Sequence, residues 1–197
     1  MFAEEIKKEE IKKEETQKYQ RVVVDESAKN RSGKKYTATY TLGGRAHRTT
    51  AEAFTFGQYL DENTIVQIRY ENLRGYEDWD DNFKQYEGYT VGLGLKQFQS
   101  NSFYINGSVY YKKQSDADGS SWSSLDPVWR ADNPTYYSTL GLDFRIGNQW
   151  QWKSFTLGCD WFGVSKDVAE LDKSGNGTND RDSVDISLLN FYLGASF

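Results

Sequence analysis

Leu189-Asn190-Phe191-Tyr192-Leu193-Gly194-Ala195-Ser196-Phe197 closes the chain. On an extended backbone Leu189, Phe191, Leu193, Ala195 and Phe197 share one face; Asn190, Gly194 and Ser196 fall on the other, with Tyr192 among them. Successive strand side chains point to opposite sides, so this period-two pattern reads as a strand with one apolar face. The alternation runs to the last residue, which makes Phe197 itself part of a sheet. The rest of the chain can be counted back from it.

Seven more strands precede this one, expected at 36–43, 51–60, 64–73, 87–98, 103–113, 136–146 and 152–165, with the last at 182–197. In the third, Val66, Ile68 and Tyr70 oppose Gln67, Arg69 and Glu71. In the fourth, Tyr89, Val91, Leu93 and Leu95 oppose Gly88, Thr90, Gly92, Gly94 and Lys96. The sixth sets Leu140, Leu142, Phe144 and Ile146 against Tyr137, Thr139, Asp143 and Arg145, and the seventh turns Phe155, Leu157, Cys159 and Trp161 outward. Which face of the second strand is apolar stays open. Connections alternate between short (61–63, 99–102, 147–151) and long (74–86, 114–135, 166–181), with 44–50 intermediate. An up-and-down barrel crossing a membrane has that order, because its turns are short on one side and its loops long on the other.

Composition agrees. No apolar run approaches the roughly 18 residues a membrane helix needs. Yet 14 Tyr, 11 Phe and 6 Trp stand beside only 2 Pro in 197 residues, which suits long strands. A modest apolar fraction of 37% fits a wall in which alternate residues meet lipid. One cysteine, Cys159, excludes an internal disulfide, and one histidine, His47, leaves little for imidazole–metal chemistry. No cofactor and no metal are expected. A net charge of -5 argues against nucleic acid as a partner.

The expected fold class is therefore all-β: an eight-stranded antiparallel up-and-down transmembrane β-barrel over 35–197, preceded by a short charged N-terminal arm and linker over 1–34. Tyr36, Tyr59, Phe98, Phe103, Trp150, Trp152 and Phe197 are expected in an aromatic girdle at the turn side, and Tyr70, Tyr89, Tyr111, Tyr136 and Trp161 in one at the loop side. Arg69, Glu71, Lys96, Lys112, Asp143, Arg145 and Asp160 then face the interior. Eight strands leave a lumen that side chains nearly fill, and an unpaired buried ion costs several kcal/mol, so a plug of paired charges is expected. An open pore would need gaps beside Gly88, Gly92 and Gly94.

The arm repeats Glu-Glu-Ile-Lys-Lys, with Glu4/Lys8 and Glu9/Lys13 in the favourable i, i+4 order. It reads as a mobile periplasmic segment, helical at times. An exported barrel requires a secretory leader, and none precedes this start, so one is expected to have been removed. Asp172 to Ser183 approaches a calcium-loop pattern, but position 12 is Ser183 where a bidentate Glu belongs; an exposed Gly/Asn-rich loop is the simpler reading. The long connections are acidic and carry Trp79, Asp80, Asp81, Trp122 and Trp129, the candidates for contact with a partner.

From residue 36 to the end the chain resembles the small eight-stranded outer-membrane barrels of the OmpA, OmpX and OmpW type. The resemblance rests on strand count, loop asymmetry, girdles and terminal Phe, and singles out no subfamily. It implies the outer membrane of a Gram-negative bacterium, with both termini periplasmic. It implies contact with membrane lipid and lipopolysaccharide, and insertion by the barrel-assembly machinery through Leu189, Phe191, Leu193 and Phe197. Another envelope protein is a further partner to consider. The leading function is non-enzymatic, structural or surface-interacting through the loops. The alternatives are a narrow channel for small solutes or ions, and a lipid A-modifying enzyme that would have to use His47.

Overall fold

In the computed structural model, residues 25–44, 49–79, 82–119, 135–174 and 184–197 are described. Eight strands follow in chain order: β1 (Tyr36–Gly44), β2 (Thr49–Asp61), β3 (Thr64–Trp79), β4 (Asn82–Phe98), β5 (Phe103–Gly119), β6 (Thr135–Trp152), β7 (Phe155–Ser174) and β8 (Val184–Ser196). Each pairs antiparallel with the next, and β8 returns to β1, so the sheet is a closed eight-stranded up-and-down barrel. Closure leaves no bare edge around the wall. The seam runs from Thr37 opposite Ser196 to Leu42 opposite Phe191. The terminal residue fastens it. Phe197 O accepts from the amides of Lys35 and Tyr36, both at 2.8 Å, and Phe197 N–H donates to Tyr36 O at 2.9 Å.

The two faces of the wall are opposite in character, and the apolar one is outside. Leu42, Phe54, Ile68, Leu93, Val109, Leu142, Phe191 and Leu193 are each more than half exposed. Thr37, Thr39, Thr41, Thr55, Gln67, Thr90, Asn106 and Ser196 are buried. A barrel standing in water buries its apolar face; this one presents it. For β2, the strand left open by the sequence, Phe54, Phe56 and Leu60 are the exposed set and Ala53, Thr55 and Tyr59 the buried one.

Several strands run further than expected. The polar stretch 74–86 is mostly β-hairpin, since β3 and β4 stay in register out to Trp79 opposite Asn82. Likewise β5 reaches Gly119 and β7 reaches Ser174, which takes strand into the expected loops 114–135 and 166–181. Alternating hydropathy marks a strand only where its two faces meet different media, and beyond the apolar band the ladder continues without that signal. The connection expected at 147–151 is strand as well. β6 continues to Trp152 and turns on Lys153 and Ser154 alone, with Lys153 at φ 52° in the left-handed region of a tight hairpin.

The aromatic rings need three corrections. Tyr59 and Phe98 face inward and are buried, and Trp161 lies beside Phe103 (centroids 5.8 Å) in the turn-side half. β7 begins at Phe155 and ends at Ser174, so its seventh residue is near the turn and not the loop. Others of the rings form rows. Tyr36 contacts Phe56 at 5.8 Å and Phe197 at 6.1 Å across β2, β1 and β8. Tyr70, Tyr89 and Tyr111 follow one another at 6.2 and 6.3 Å across β3, β4 and β5.

β7 carries extra residues against β6, the first between Asp160, opposite Gly147, and Phe162, opposite Ile146. The in–out alternation therefore slips: Asp160 and Gly163, three apart, are both buried. β8 slips at the same level. Asn190 and Ser187 are both buried, Leu188 and Leu189 are both exposed, and Leu189 has φ 54°. The two strands stay in register with each other throughout.

Two glycines let tyrosine rings lie flat on the inner wall: a β-carbon at Gly141 would overlap the Tyr110 ring, and one at Gly158 the Tyr192 ring. Gly158→Ala is expected to destabilise the barrel by about 1–3 kcal/mol, as an overpacked core does. Urea unfolding in detergent micelles, monitored by tryptophan fluorescence, would show the midpoint move down; an unchanged midpoint would mean that Tyr192 moves aside without cost.

Candidate functional site

The interior is filled in layers. Nearest the short turns, Tyr59, Ile65, Phe98, Tyr104 and Tyr192 form a buried cluster, with Phe98 and Tyr104 edge to face at 5.9 Å. Their alternation with outward neighbours places them inside, yet their apolar character hides it. Beside them Gln151 Oε1 accepts from Thr156 Oγ1 at 2.7 Å and Ser196 Oγ at 3.1 Å, and Ser196 meets Tyr59 OH at 3.1 Å.

Above that cluster lies the charged network. Arg145 is its hub: Nε and Nη2 reach the two Asp143 oxygens at 2.8 and 3.0 Å, and Nη1 reaches Asp160 Oδ2 at 3.2 Å. Such a fork geometry suits guanidinium and carboxylate better than any point charge would. Asp160 also accepts from Tyr104 OH. Arg69 Nε lies 3.5 Å from Glu71 Oε2. Toward the loop side Lys112 pairs with Asp167, which also accepts from Tyr110 OH at 2.6 Å. Lys96 is different. Among the described residues its ammonium forms no ion pair; it donates to Gln149 Oε1 at 3.0 Å and Tyr192 OH at 3.3 Å, and sits 4.3 and 4.8 Å from the Tyr104 and Tyr192 ring centroids. Desolvated cation–π contacts of this kind are worth roughly 2 kcal/mol.

Arg69, Glu71, Lys96, Lys112, Asp143, Arg145 and Asp160 thus all line one interior. Asp167 and the tyrosines complete it. Asp167 was not legible, because the alternation that turns Phe155 and Trp161 outward carries Asp167 outward as well, and only the slip after Asp160 brings it inside; the role of Tyr104 and Tyr192 as hydrogen-bonding walls has no sequence signal. A cavity of about 20 Å³ remains between Thr41, Arg69, Lys96, Arg145, Asp160 and Tyr192, room for about one water. Beside the glycines the wall is close: a β-carbon would strike Lys113 O at Gly88 and come within 2.8 Å of Ser108 at Gly94, and at Gly92 it would meet Val109 O at an ordinary 3.5 Å.

The turn-side mouth is covered by a feature the sequence does not announce. Within the expected linker, Ser27–Arg31 forms a one-turn helix, α1. β6 overhangs the start of β5, which begins opposite Asn148, and that overhanging edge needs partners. Gln149 N–H finds Ser102 O at 2.8 Å; Gln151 N–H finds Ser27 Oγ at 3.0 Å, and Gln151 O accepts from Asn30 Nδ2 at 2.9 Å. Arg31 is fully buried, with Nε on Glu62 O at 3.1 Å, Nη1 on Asn101 O at 2.5 Å, and its guanidinium 3.6 Å from the Phe98 ring centre. Hydrogen bonds from a charged donor contribute about 1.5–3 kcal/mol each. Burial holds the Arg31 guanidinium below its ordinary pKa, against the opposing pull of Tyr59, Asp25 and Glu62.

Leu189, Phe191, Leu193 and Phe197 lie exposed on the outer wall. Cys159, of the same alternation, is only 4% exposed. Of the loop candidates, Asp80, Asp81, Trp122 and Trp129 lie outside the described residues, as do His47 and residues 1–24; Trp79 ends β3, with its side chain not described. Most of the calcium-like pattern, 175–183, also lies outside them, and Asp172 is strand. Among the described residues no group of three or more His, Cys, Asp or Glu could hold a metal ion.

No protein-family model matches the chain, and no curated protein does. Solved structures similar to it include Ail, the attachment invasion locus protein of Yersinia pestis. In complex with the heparin analogue sucrose octasulfate, Ail is 10% identical with a TM-score of 0.46, over 83% of this chain and 94% of that one. Without that ligand it is 11% identical with a TM-score of 0.43 over the same shares.

Two outcomes test the site. Arg145→Ala leaves Asp143 and Asp160 buried without their partner and is expected to cost about 3–5 kcal/mol in unfolding free energy. Asp25 feels burial, which raises its pKa, but the hydroxyls of Ser27 and Ser102, the Ser27 amide and the Arg31 charge together lower it below the ordinary aspartate value. A carboxyl depressed in the folded state adds stability above its unfolded value and loses it as pH falls through the folded one. Acidification from pH 7 to 5 should therefore leave the segment around Asp25 unchanged, with loosening only below about pH 4. Carbon-detected NMR titration of the Asp25 carboxyl reads this, and a midpoint above that range would contradict it.

Proposed function

We propose that this is an outer-membrane β-barrel with a non-enzymatic, structural or surface-interaction role, its interior plugged by paired charges. The observation that carries the reading is the inversion of the wall. An exposed band containing Phe54, Ile68, Leu93, Val109, Leu142 and Leu193 surrounds a lumen occupied by Arg145, Asp143, Asp160, Arg69, Lys96 and Lys112. Apolar area of that extent is unfavourable in water and favourable in hydrocarbon. Strands of 13 to 20 residues from β2 onward exceed the ~9–11 that a tilted crossing needs, and the aromatic rows contain rings suited to bilayer interfaces.

The three short turns, the start of β1 and the end of β8 share one side, which is the periplasmic side in this reading, and the acidic connections follow on the other. Contact with lipopolysaccharide or with another envelope protein belongs to those connections and the strand ends beside them, which carry Asp80, Asp81, Trp122 and Trp129, and, at the end of β3, Glu77, Asp78 and Trp79. Carboxylates favour basic groups or phosphates bridged by divalent ions. The terminal Leu189, Phe191, Leu193 and Phe197 serve insertion by the assembly machinery.

Planar-bilayer recording of the purified barrel tests the closed interior. No steady unitary current is expected; regular single-channel steps that Gly92→Trp abolishes would overturn the plugged reading in favour of a narrow channel. Deleting Phe197 removes the backbone groups that hold Lys35 and Tyr36, and is expected to reduce the amount of folded, heat-modifiable barrel in isolated outer membranes several-fold. An undiminished amount would remove Phe197 from assembly.

A further inference from the structure

The linker segment 25–35 does more than connect an arm to a wall, and we propose that it is a stopper that lifts from the turn-side mouth as a unit, with Arg31 as its pin and Gly33 as its hinge. Three independent turns are tied by it. Arg31 reaches Glu62 O in the β2–β3 turn and Asn101 O in the β4–β5 turn; Ser27 and Asn30 hold Gln151 beside the β6–β7 turn. The hinge follows at once. Gly33 has φ 80°, a β-carbon there would meet nothing within 4 Å, and Lys34 N–H closes a turn onto Arg31 O at 2.9 Å. Beyond it, Lys35 and Tyr36 are fixed to Phe197 O. A pinned element and a fixed strand are thus separated by Ser32, Gly33 and Lys34, with the unencumbered glycine at their centre.

The seat is of a kind that water can replace. α1 is five residues long, far below the length at which a helix holds itself; Asp25 Oδ1 accepts from Ser27 N–H at 3.0 Å, and Glu26 at the N-cap makes no capping hydrogen bond. Its contacts to the barrel include the hydrogen bonds of Ser27, Asn30 and Arg31 and a cation–π contact with Phe98, and its buried residues, Ser27 and Arg31, are both polar. Arg31 is buried with Nη2 lacking a hydrogen-bond partner among the described residues, so there the pin is satisfied on two of its three nitrogens. Elements held by few apolar contacts open at lower cost than the ladders around them. Lifting would expose the Gln151 edge and bring water to the Tyr59–Ile65–Phe98–Tyr104–Tyr192 cluster, which then becomes the barrier at that end. The stopper would also be the point through which a pull on residues 1–24 reaches the barrel.

Gln151 N–H is a built-in reporter, because its acceptor is Ser27 Oγ on the stopper itself. Amide exchange of the full chain in detergent micelles should show Gln151 exchanging faster than ladder amides such as those of Val91 and Leu157. In Arg31→Ala, Gln151 should exchange at least tenfold faster again, with Val91 and Leu157 unchanged. Arg31→Lys, which keeps the charge and loses the fork, should fall between the two; it also keeps the test decisive if the alanine variant does not fold. An unchanged Gln151 rate in the folded variants would overturn the pin, and exchange of Gln151 in step with Val91 and Leu157 would overturn a stopper that moves separately from the wall.

Discussion

A backbone amide or carbonyl surrounded by hydrocarbon must be bonded to another backbone group, and a closed ladder is the one sheet arrangement that satisfies all of them. Here that condition falls on the seam between β1 and β8, where the pairing spans Thr37 to Leu42 and Phe191 to Ser196. The carbonyl of Phe197 takes two donors at once. Each other strand pair is longer than this seam. The apolar exterior, the filled interior and the common side of the turns all presuppose that it closes.

Closure also fixes how little room is left inside. An eight-stranded wall encloses a column about as wide as two facing side chains, so charge placed there meets charge. Arg145 between Asp143 and Asp160, Lys112 against Asp167, and Arg69 beside Glu71 are the outcome. Lys96 is held instead by two tyrosine rings and two hydrogen bonds. Its neighbours Tyr104 and Tyr192 belong at the same time to the apolar cluster below, so the aromatic rings join the greasy end of the column to the ionic one.

The barrel was legible wherever one face of a strand is apolar and the other polar. Leu140, Leu142 and Phe144 against Asp143 and Arg145 place β6 and its inward charges without ambiguity. The same test fails outside the band. Residues 74–79 and 82–86 form a hairpin, and nothing in their hydropathy separates them from loop. It fails differently at Phe98 and Tyr59, where apolar residues point inward into a column taken to be polar throughout. Arg31 had no legible role at all, because its partners are carbonyls of turns 31 and 70 residues away, and a carbonyl exists at every position of any sequence.

The paired slips of β7 and β8 constrain how such a chain can change. Beyond Trp161 and Leu189 both strands show the opposite parity to the one they follow near the turn, yet their mutual register is intact. Losing one residue from β7 alone would leave its far half one step out of phase with β8, turning Gly163 and Ser165 to the outer face or breaking the pairs with Ser187 and Asp185. Losing one from each would restore phase. Length variation in these two strands should therefore be inherited as matched insertions and deletions, a reading frame written in side-chain direction instead of codons.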